Sequence, residues 1–525
     1  MRKQIIYALV LMLTLTVSSC KNQLEDAFQN PDASTQQSLP GFFADLLNND
    51  RVRPSYWHYR TFILLHSAVY TQSASFGPSN TMYQQSDGYL NDYWRDFYAP
   101  GVLGIYRAME VAYNGMDETE KSSNEVFMQA ARVVLYDEAS KLVDNFGDIP
   151  FSEAGSLPSS SNIQLGKFDD QIELYNSFIS GLAEASSFFG TAAQNAGFSK
   201  ADILNSGNMA KWQRYANSLR LRLLMRISNY SESTASAAIM ELLNNPATYP
   251  LVDGDNQANY SPLTSDILLR PLTTYTGSLR DALLEGANYY ATDHMLNDVM
   301  LPANDPRIPV FYDKFGQTVN SVFIPNTEYK AMPIEYTTNQ FETEFSKFSI
   351  LDSATFFDNP SLPGIVISAS EVNFLKAEAF QRWGNTASAQ TAYETALKQS
   401  VTFYYYLNNL NTTGIKTEVK PTDAIINNFV NSSTVSYVGS ATDKLSLIYT
   451  QKWLHFGFLQ AQQGWAEYRR TGYPQLTFQT ANLASSANPP VRLTYPSSEI
   501  TYNNQNYQAV KDKDTRDTKI FWDVN

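Results

Sequence analysis

Cysteine is almost absent: Cys20 is the only one in 525 residues. A single thiol excludes an intramolecular disulfide, so packing and charge must hold the fold. Histidine is nearly as scarce. His58, His66, His294 and His455 lack the His-x-x-x-His or other spacing of a metal site and read as partly buried helix residues. Basic residues are in deficit, 38 Lys and Arg against 52 Asp and Glu, for a formal charge of −14. That balance argues against nucleic acid or an anionic lipid surface as a partner, since both require a basic face. After the first twenty residues no run is apolar enough for a membrane-spanning helix. No G-x-S-x-G elbow, P-loop or Gly-rich dinucleotide turn occurs, and no cofactor is expected. Asp253-Gly254-Asp255-Asn256 carries calcium-type ligands without the twelve-residue spacing and terminal glutamate of an EF-hand. It reads as a turn, with a loose structural calcium site as the alternative.

What is present begins with the N-terminus. Met1-Arg2-Lys3 precedes an apolar run from Ile5 to Leu15, then Val17-Ser18-Ser19 and Cys20. Basic head, short apolar core and small residues before a cut form a secretory signal, expected over residues 1–19. The core falls short of the ~20 residues of a permanent span. A cysteine at the cut resembles the lipobox of bacterial lipoproteins, where the thiol is acylated and becomes the new N-terminus. An ordinary signal peptide with an incidental cysteine is the alternative, but an exported chain using disulfides would carry an even set. Cys20 is therefore expected to be the lipidation site, with residues 20–40 as a polar tether. Loss of Arg2 and Lys3 with the signal takes the formal charge to −16.

Aromatics are the unusual class: 33 Tyr, 30 Phe and 7 Trp. Helical periodicity of three and four dominates about 41–245 and about 370–472. The stretch between, about 246–369, is interrupted by proline and glycine and reads as an irregular, loop-rich insertion, which in a compact protein is usually functional. Ala377-x-x-Phe380, Gly384 and Ala389-x-x-x-Tyr393-x-x-Ala396 resemble a tetratricopeptide helix pair, although Asn373, Lys376 and Val401 stand where that repeat prefers Trp, Leu and Pro. The expected fold class is mainly α, a tetratricopeptide-like helical-hairpin scaffold with a loop-rich irregular insertion.

Several stretches together carry a family signature. Residues 135–154, ending Asn145-Phe146-Gly147-Asp148-Ile149-Pro150-Phe151-Ser152-Glu153-Ala154, are similar to the helix and GD-P-SEA turn of SusD/RagB-like lipoproteins. Ser370-Glu371-Val372-Asn373-Phe374-Leu375-Lys376-Ala377-Glu378-Ala379 resembles the same family's E-x-x-F-L-x-A-E-A helix. Gln451-Lys452-Trp453 with Trp465-Ala466-Glu467-Tyr468-Arg469-Arg470-Thr471-Gly472-Tyr473-Pro474 resembles its C-terminal run. Asp305-Pro306-Arg307-Ile308-Pro309 and Val491-Arg492-x-x-Tyr495-Pro496-x-x-Glu499 fit the same pattern, so the likeness extends over residues 41–525 in order. The resemblance implies a lipid-anchored outer-membrane protein, SusD-like, that binds nutrient and forms a lid on a SusC-like TonB-dependent transporter, without catalysis. Lys21-Asn22-Gln23-Leu24 separate Cys20 from Glu25-Asp26, whereas the family's surface-export signals often place acidic residues directly after the cysteine.

Read physically, the motifs are structural. Gly147 suits a left-handed cap and Pro150 stops the helix, leaving Asp148, Ser152 and Glu153 as turn and capping groups. Arg469 and Arg470 sit at a helix end and are expected to pair with Asp or Glu of the first helical block. Trp94, Tyr98 and Tyr106 continue a helical pattern and read as core. A sugar offers C–H faces and a rim of hydroxyls, so a binder needs an exposed aromatic with amides or carboxylates at its edge. Loop context and such neighbours single out Tyr83, Tyr89, Tyr275, Tyr290 and Tyr336 as ligand candidates, with loop packing as their alternative role. Glycan is the leading cargo. The alternatives are peptide cargo in the same lid role, a helical-repeat scaffold for protein segments, and a surface glycosidase, whose carboxylate pair only spatial separation would reveal.

Overall fold

The computed structural model describes residues 38–74, 82–98, 101–156, 164–255, 260–271, 278–286, 289–478 and 488–525. Cys20 and Tyr275 lie outside the described residues.

Several of the longer helices start where the chain supplies a side-chain cap. Helix α1 (Leu39–Leu47) has Ser38 accepting from the Gly41 amide and Pro40 in its first turn, and it buries Leu39, Phe43, Leu46 and Leu47 as one stripe. Helix α2 (Asp87–Tyr98) buries Leu90, Tyr93, Trp94 and Phe97. Helix α3 (Val102–Asn114) buries Tyr106 and Met109. Trp94 and Tyr106 are thus core, and Tyr98 packs partly buried against it. Helix α4 (Glu118–Phe146) opens on a reciprocal capping box of Asp117 and Glu120 and is buried nearly all round in its second half. It stops at Gly147, where φ is +82°, a conformation that favours glycine. The accompanying ψ of −124° lies away from the expected left-handed helical cap.

Helices α5 (Gln171–Thr191), α6 (Met209–Arg226) and α7 (Glu232–Asn244) complete the first group, with Asp170 and Asn208 capping α5 and α6. The second group is α8 (Ala369–Trp383), α9 (Thr386–Asn409), α10 (Ala441–Phe456) and α11 (Ala461–Thr471). The α8–α9 pair is the tetratricopeptide-like hairpin. Ala377, Ala389 and Ala396 are fully buried between its arms. A Cβ on Gly384 would stand 2.8 Å from the Phe380 ring, so the tight turn needs glycine. Tyr393 is buried and donates to the Val435 carbonyl (2.8 Å), while Phe380 is half-buried.

The strands are short antiparallel pairs. β1 (Ile149–Pro150) pairs with β2 (Phe168–Asp169) beside the α4 terminus. In the insertion, β3 (Ile267–Leu269) pairs with β8 (Gly364–Ile367), β4 (Tyr312–Asp313) with β7 (Ile350–Leu351), and β5 (Gly316–Val319) with β6 (Val322–Pro325). The molecule is mainly α, as the helical periodicity implies.

Two chains of buried charge tie the helices together. In the first, Glu138 on α4 accepts from Arg51 (2.9 Å) and Lys141 (2.7 Å). Its neighbour Asp137 meets Arg222 of α6 (3.3 Å), which also grips Glu371 of α8 through two nitrogens (2.6 and 2.9 Å). In the second, Glu378 of α8 faces Arg470 (2.7 Å) and Lys452 (3.3 Å), and Glu467 joins both (2.7 and 2.5 Å). Arg226 bridges Glu467 to Asp144 of α4 (3.4 Å each), and Asp144 also accepts from the buried Trp522 indole (2.9 Å). The family motifs supply every carboxylate in these chains together with Lys141, Lys452 and Arg470, whereas Arg51, Arg222, Arg226 and Trp522 lie outside them. Arg470 finds its carboxylates on α8 and α11, not in the first helical block as expected. Arg469 does reach that block, but through the Asp144 carbonyl (2.8 Å), and its guanidinium lies 3.7 Å over Trp465. The turn residues behave as glue: Asp148 accepts from the Gln171 amide (3.1 Å), and the Ser152 hydroxyl donates to Asp169 (2.7 Å). Glu153 pairs with Lys167 (3.1 Å).

Asp266 lies buried at the start of α8, accepting from the Ala369 amide (3.1 Å) and the Tyr260 hydroxyl (3.0 Å). Burial pushes its carboxyl up to about 7 from 3.8. A raised folded-state pKa means stability that is present below 3.8 and lost as pH rises through about 7. Asp266→Asn removes that dependence. The variant is expected to gain on the wild type in thermal midpoint between pH 5 and pH 8; a gap independent of pH would refute the assignment.

Candidate functional site

A cleft of about 590 Å³ opens between the segment after α1 and the outer face of α2. Its floor is three rings. Phe62 stacks on Tyr93 (centroids 3.6 Å, planes 6° apart), and His58 stacks beside both, at 5.9 Å and 6.0 Å. Arg51 braces the floor from below. Its guanidinium lies 3.9 Å from the Tyr93 ring centre, donates to the Tyr93 carbonyl (2.7 Å) and is held by Glu138. Burial first, then the positive charge of Arg51, lowers the His58 imidazole to about 3, so it is neutral at physiological pH.

The wall is Tyr56 and Trp57, whose rings meet edge to face at 5.3 Å and 83°. Trp57 is 69% exposed, whereas Trp94, Trp212, Trp453, Trp465 and Trp522 are buried and Trp383 half-buried. The Tyr56 hydroxyl is fixed by Glu285, a bond that raises its pKa. Asp50, Ser55, Thr61, Asp92, Arg95 and Asp96 provide the polar rim. Arg95 spans Asp92 (2.9 Å) and Asp96 (3.7 Å), and burial raises the Asp96 carboxyl. An exposed indole above carboxylates, hydroxyls and a guanidinium is the chemistry that holds a sugar ring: C–H against π on one face, hydrogen bonds around the edge.

Of the candidates from sequence, Tyr89 lies near this cleft without lining it. It is half-buried on α2, one turn before Asp92 and Tyr93, and close enough to Tyr56 to act on its phenol electrostatically. Tyr83 does not present a platform. It is 1% exposed and packs edge-on against Phe478 at 5.9 Å. Tyr290 is likewise core, 3% exposed, stacked on Tyr289 at 4.5 Å and edge-on to Phe341. Both corrections have one cause: a phenol ring buries as readily as it stacks on ligand, and a loop can fold its aromatics inward. Tyr336 is partly exposed in the same small cluster as Tyr290, with its hydroxyl on Glu344 (3.0 Å) and its ring edge-on to Phe348. Tyr290→Phe removes a hydroxyl that donates to Tyr289 (3.2 Å). It is expected to cost about 1 kcal/mol in urea unfolding and to leave ligand affinity unchanged.

Trp57 and Tyr56 escaped the sequence reading. The signal available was the run Ser55-Tyr56-Trp57-His58-Tyr59 immediately after Pro54. Asp253 and Asp255 line a second groove, about 430 Å³, over the α8–α9 hairpin. Their carboxylates already hold Lys376 and Arg214 (2.7 Å each), the arrangement of a charged turn. Among the described residues no helix is long and apolar enough to cross a membrane.

Fold and cleft together define an α-helical-hairpin protein with an aromatic-lined cleft on its surface. The sequence matches the SusD-like family model described as "Starch-binding associating with outer membrane" over residues 40–496, and the chain belongs to that family. No curated protein matches it. Among solved structures it is similar to a chitin-binding protein at 23% identity and TM-score 0.74, with 93% of this chain and 100% of that one covered. It is also similar to a chitin-binding SusD homologue from Flavobacterium johnsoniae (23%, TM-score 0.70, 93% and 99% covered). A SusD homologue from Bacteroides uniformis matches at 20% and TM-score 0.69, with 93% and 100% covered. At these identities the likeness is one of fold.

Proposed function

We propose that this protein is a glycan-capturing lipoprotein of the outer membrane that binds oligosaccharide in the Trp57 cleft and delivers it to a SusC-like TonB-dependent transporter, for which it acts as lid. The observation that carries the reading is the exposure of Trp57 beside a cleft of about 590 Å³ with a polar rim. An indole left in water forgoes its burial free energy, and contact with a ligand recovers it. The outer-membrane description of the family and the chitin binding named for two fold relatives support the choice of glycan. Anchoring through acylated Cys20 and an outward-facing position complete the proposal; it requires no cofactor and no turnover.

The test is a glycan array run in parallel with a peptide library on the chain beginning after Cys20, following both affinity and product release. Saturable glycan binding in the micromolar range (order ~−8 kcal/mol) without product supports the proposal. Peptide-only binding replaces the cargo, and released sugar makes the protein a glycosidase. Co-purification of the lipidated protein with a barrel transporter from its native membrane tests the lid role.

A further inference from the structure

The charges around the Trp57 cleft do not balance. Three carboxylates line it, Asp50, Asp92 and Asp96, against two guanidiniums, Arg51 and Arg95. They come from two segments: Asp50 from the turn after α1, and Asp92 and Asp96 from successive turns of α2. Burial is the main cause of the raised Asp96 carboxyl. Asp92 and Asp50 add to it against the opposing pull of Arg51 and Arg95, so all five groups share one neighbourhood.

The two cations are not equally available. Arg51 is buried and engaged by Glu138 (2.9 Å) and the Tyr93 carbonyl (2.7 Å). Arg95 is exposed, but its one positive charge answers both Asp92 and Asp96. His58 is neutral at physiological pH, and Glu285 on the Tyr56 hydroxyl is matched by Arg60 (3.4 Å). The solvent side of the cleft therefore presents three carboxylates and one guanidinium beside an exposed indole, on a chain of formal charge −14. Each part of that set favours positive charge. An indole face attracts a cation as well as a C–H face. A carboxylate accepts a charge-assisted bond from an ammonium, and like charges held close together are relieved by one. The field of an acidic protein draws cations in and repels anions, which disfavours uronic acids and sulfated sugars.

We propose that the cleft selects an amino sugar whose nitrogen is free and protonated, a glucosamine-type oligosaccharide, over N-acetylated or acidic glycans. The sugar face lies on Trp57, and the ammonium is taken by the group of Asp50, Asp92 and Asp96. Acetylation of the nitrogen removes the charge and leaves only the stacking and the neutral hydrogen bonds. The proposal rests on the glycan reading of this cleft and names the class of glycan.

The test is calorimetric titration of the chain beginning after Cys20, at about pH 6, where an amine is protonated. The probes are oligomers of one length: glucosamine, N-acetylglucosamine and galacturonic acid, with oligolysine as the peptide counterpart. The glucosamine oligomer is expected to bind about tenfold more tightly than the N-acetylated one, and the galacturonate not to bind. Raising the salt from about 0.05 M to about 0.5 M is expected to erase most of that preference, because exposed charges are screened. Asp92→Asn with Asp96→Asn leaves Arg95 without its two carboxylate partners and is expected to bring the ratio to one or reverse it. Asp50→Asn, which leaves the Arg95 pairs in place, is expected to narrow it, with the thermal midpoint of each variant checking the fold. Equal affinity for the two glucosamine oligomers, or preference for the N-acetylated or acidic one, overturns the charge selection and leaves the cleft a glycan site. A preference that neither variant moves overturns the assignment to these carboxylates. Binding of oligolysine alone, or of no probe at all, overturns the glycan reading and this proposal with it.

Discussion

Glu378→Gln is expected to lower the free energy of unfolding by about 3–5 kcal/mol, seen as a fall in the urea midpoint with the slope unchanged. Glu378 is fully buried and accepts from Arg470 through two nitrogens (2.8 and 2.7 Å), from Lys452 (3.3 Å) and from the Tyr449 hydroxyl (3.1 Å). Burial alone would raise its carboxyl. The two cations outweigh that and hold it at about 2. An amide of the same size keeps the packing but removes the charge, leaving Arg470 and Lys452 with Glu467 while Arg226 also retains Asp144. The penalty is that of stranded cations, not of a lost attraction. The exposed pair Lys416–Glu418 (3.2 Å) is the control, and Glu418→Gln is expected to leave the midpoint where it was. Equal midpoints for Glu378→Gln and wild type would show that the buried cluster does not clamp the helices.

Trp57→Ala is expected to weaken glycan binding by about thirtyfold, or about 2 kcal/mol, in calorimetric titration, with the thermal midpoint unchanged. The two halves of that expectation come from the same number. A ring 69% exposed contributes little to the core, so its removal costs little stability, yet that exposed surface is what a sugar face would cover. Trp57→Phe keeps a smaller face and should fall between the two. A large loss of stability in Trp57→Ala would make the residue structural. Unchanged affinity in a correctly folded variant would move the ligand away from this cleft, toward the partly exposed Tyr336 in the insertion.

Much of the scaffold is legible without coordinates because helices are local objects. Asp117 with Glu120 and Ser440 with Asp443 cap helix starts through side chains a few residues apart, and Gly472 ends α11 in a left-handed backbone conformation. The alanines of the α8–α9 hairpin announce close packing in the same way. The structural role of Asp148, Ser152 and Glu153 also follows from their place after a helix stop, and their bonds agree with it.

What the sequence by itself determined is therefore the helical class, the two helical blocks, the family and the structural nature of its motifs. These depend on periodicity and capping, which act over three or four residues. Only the tertiary structure decided which aromatics face water and which charges meet. Tyr83 is buried against Phe478, almost four hundred residues away, and Arg470 meets Glu378 ninety-two residues upstream. Trp57 stays 69% exposed at a cleft whose stacked rings, Phe62 and Tyr93, come from separate segments. Tyrosine and tryptophan are stable on either side of such a boundary, and so their role is assigned by partners distant in the chain rather than by neighbours within it.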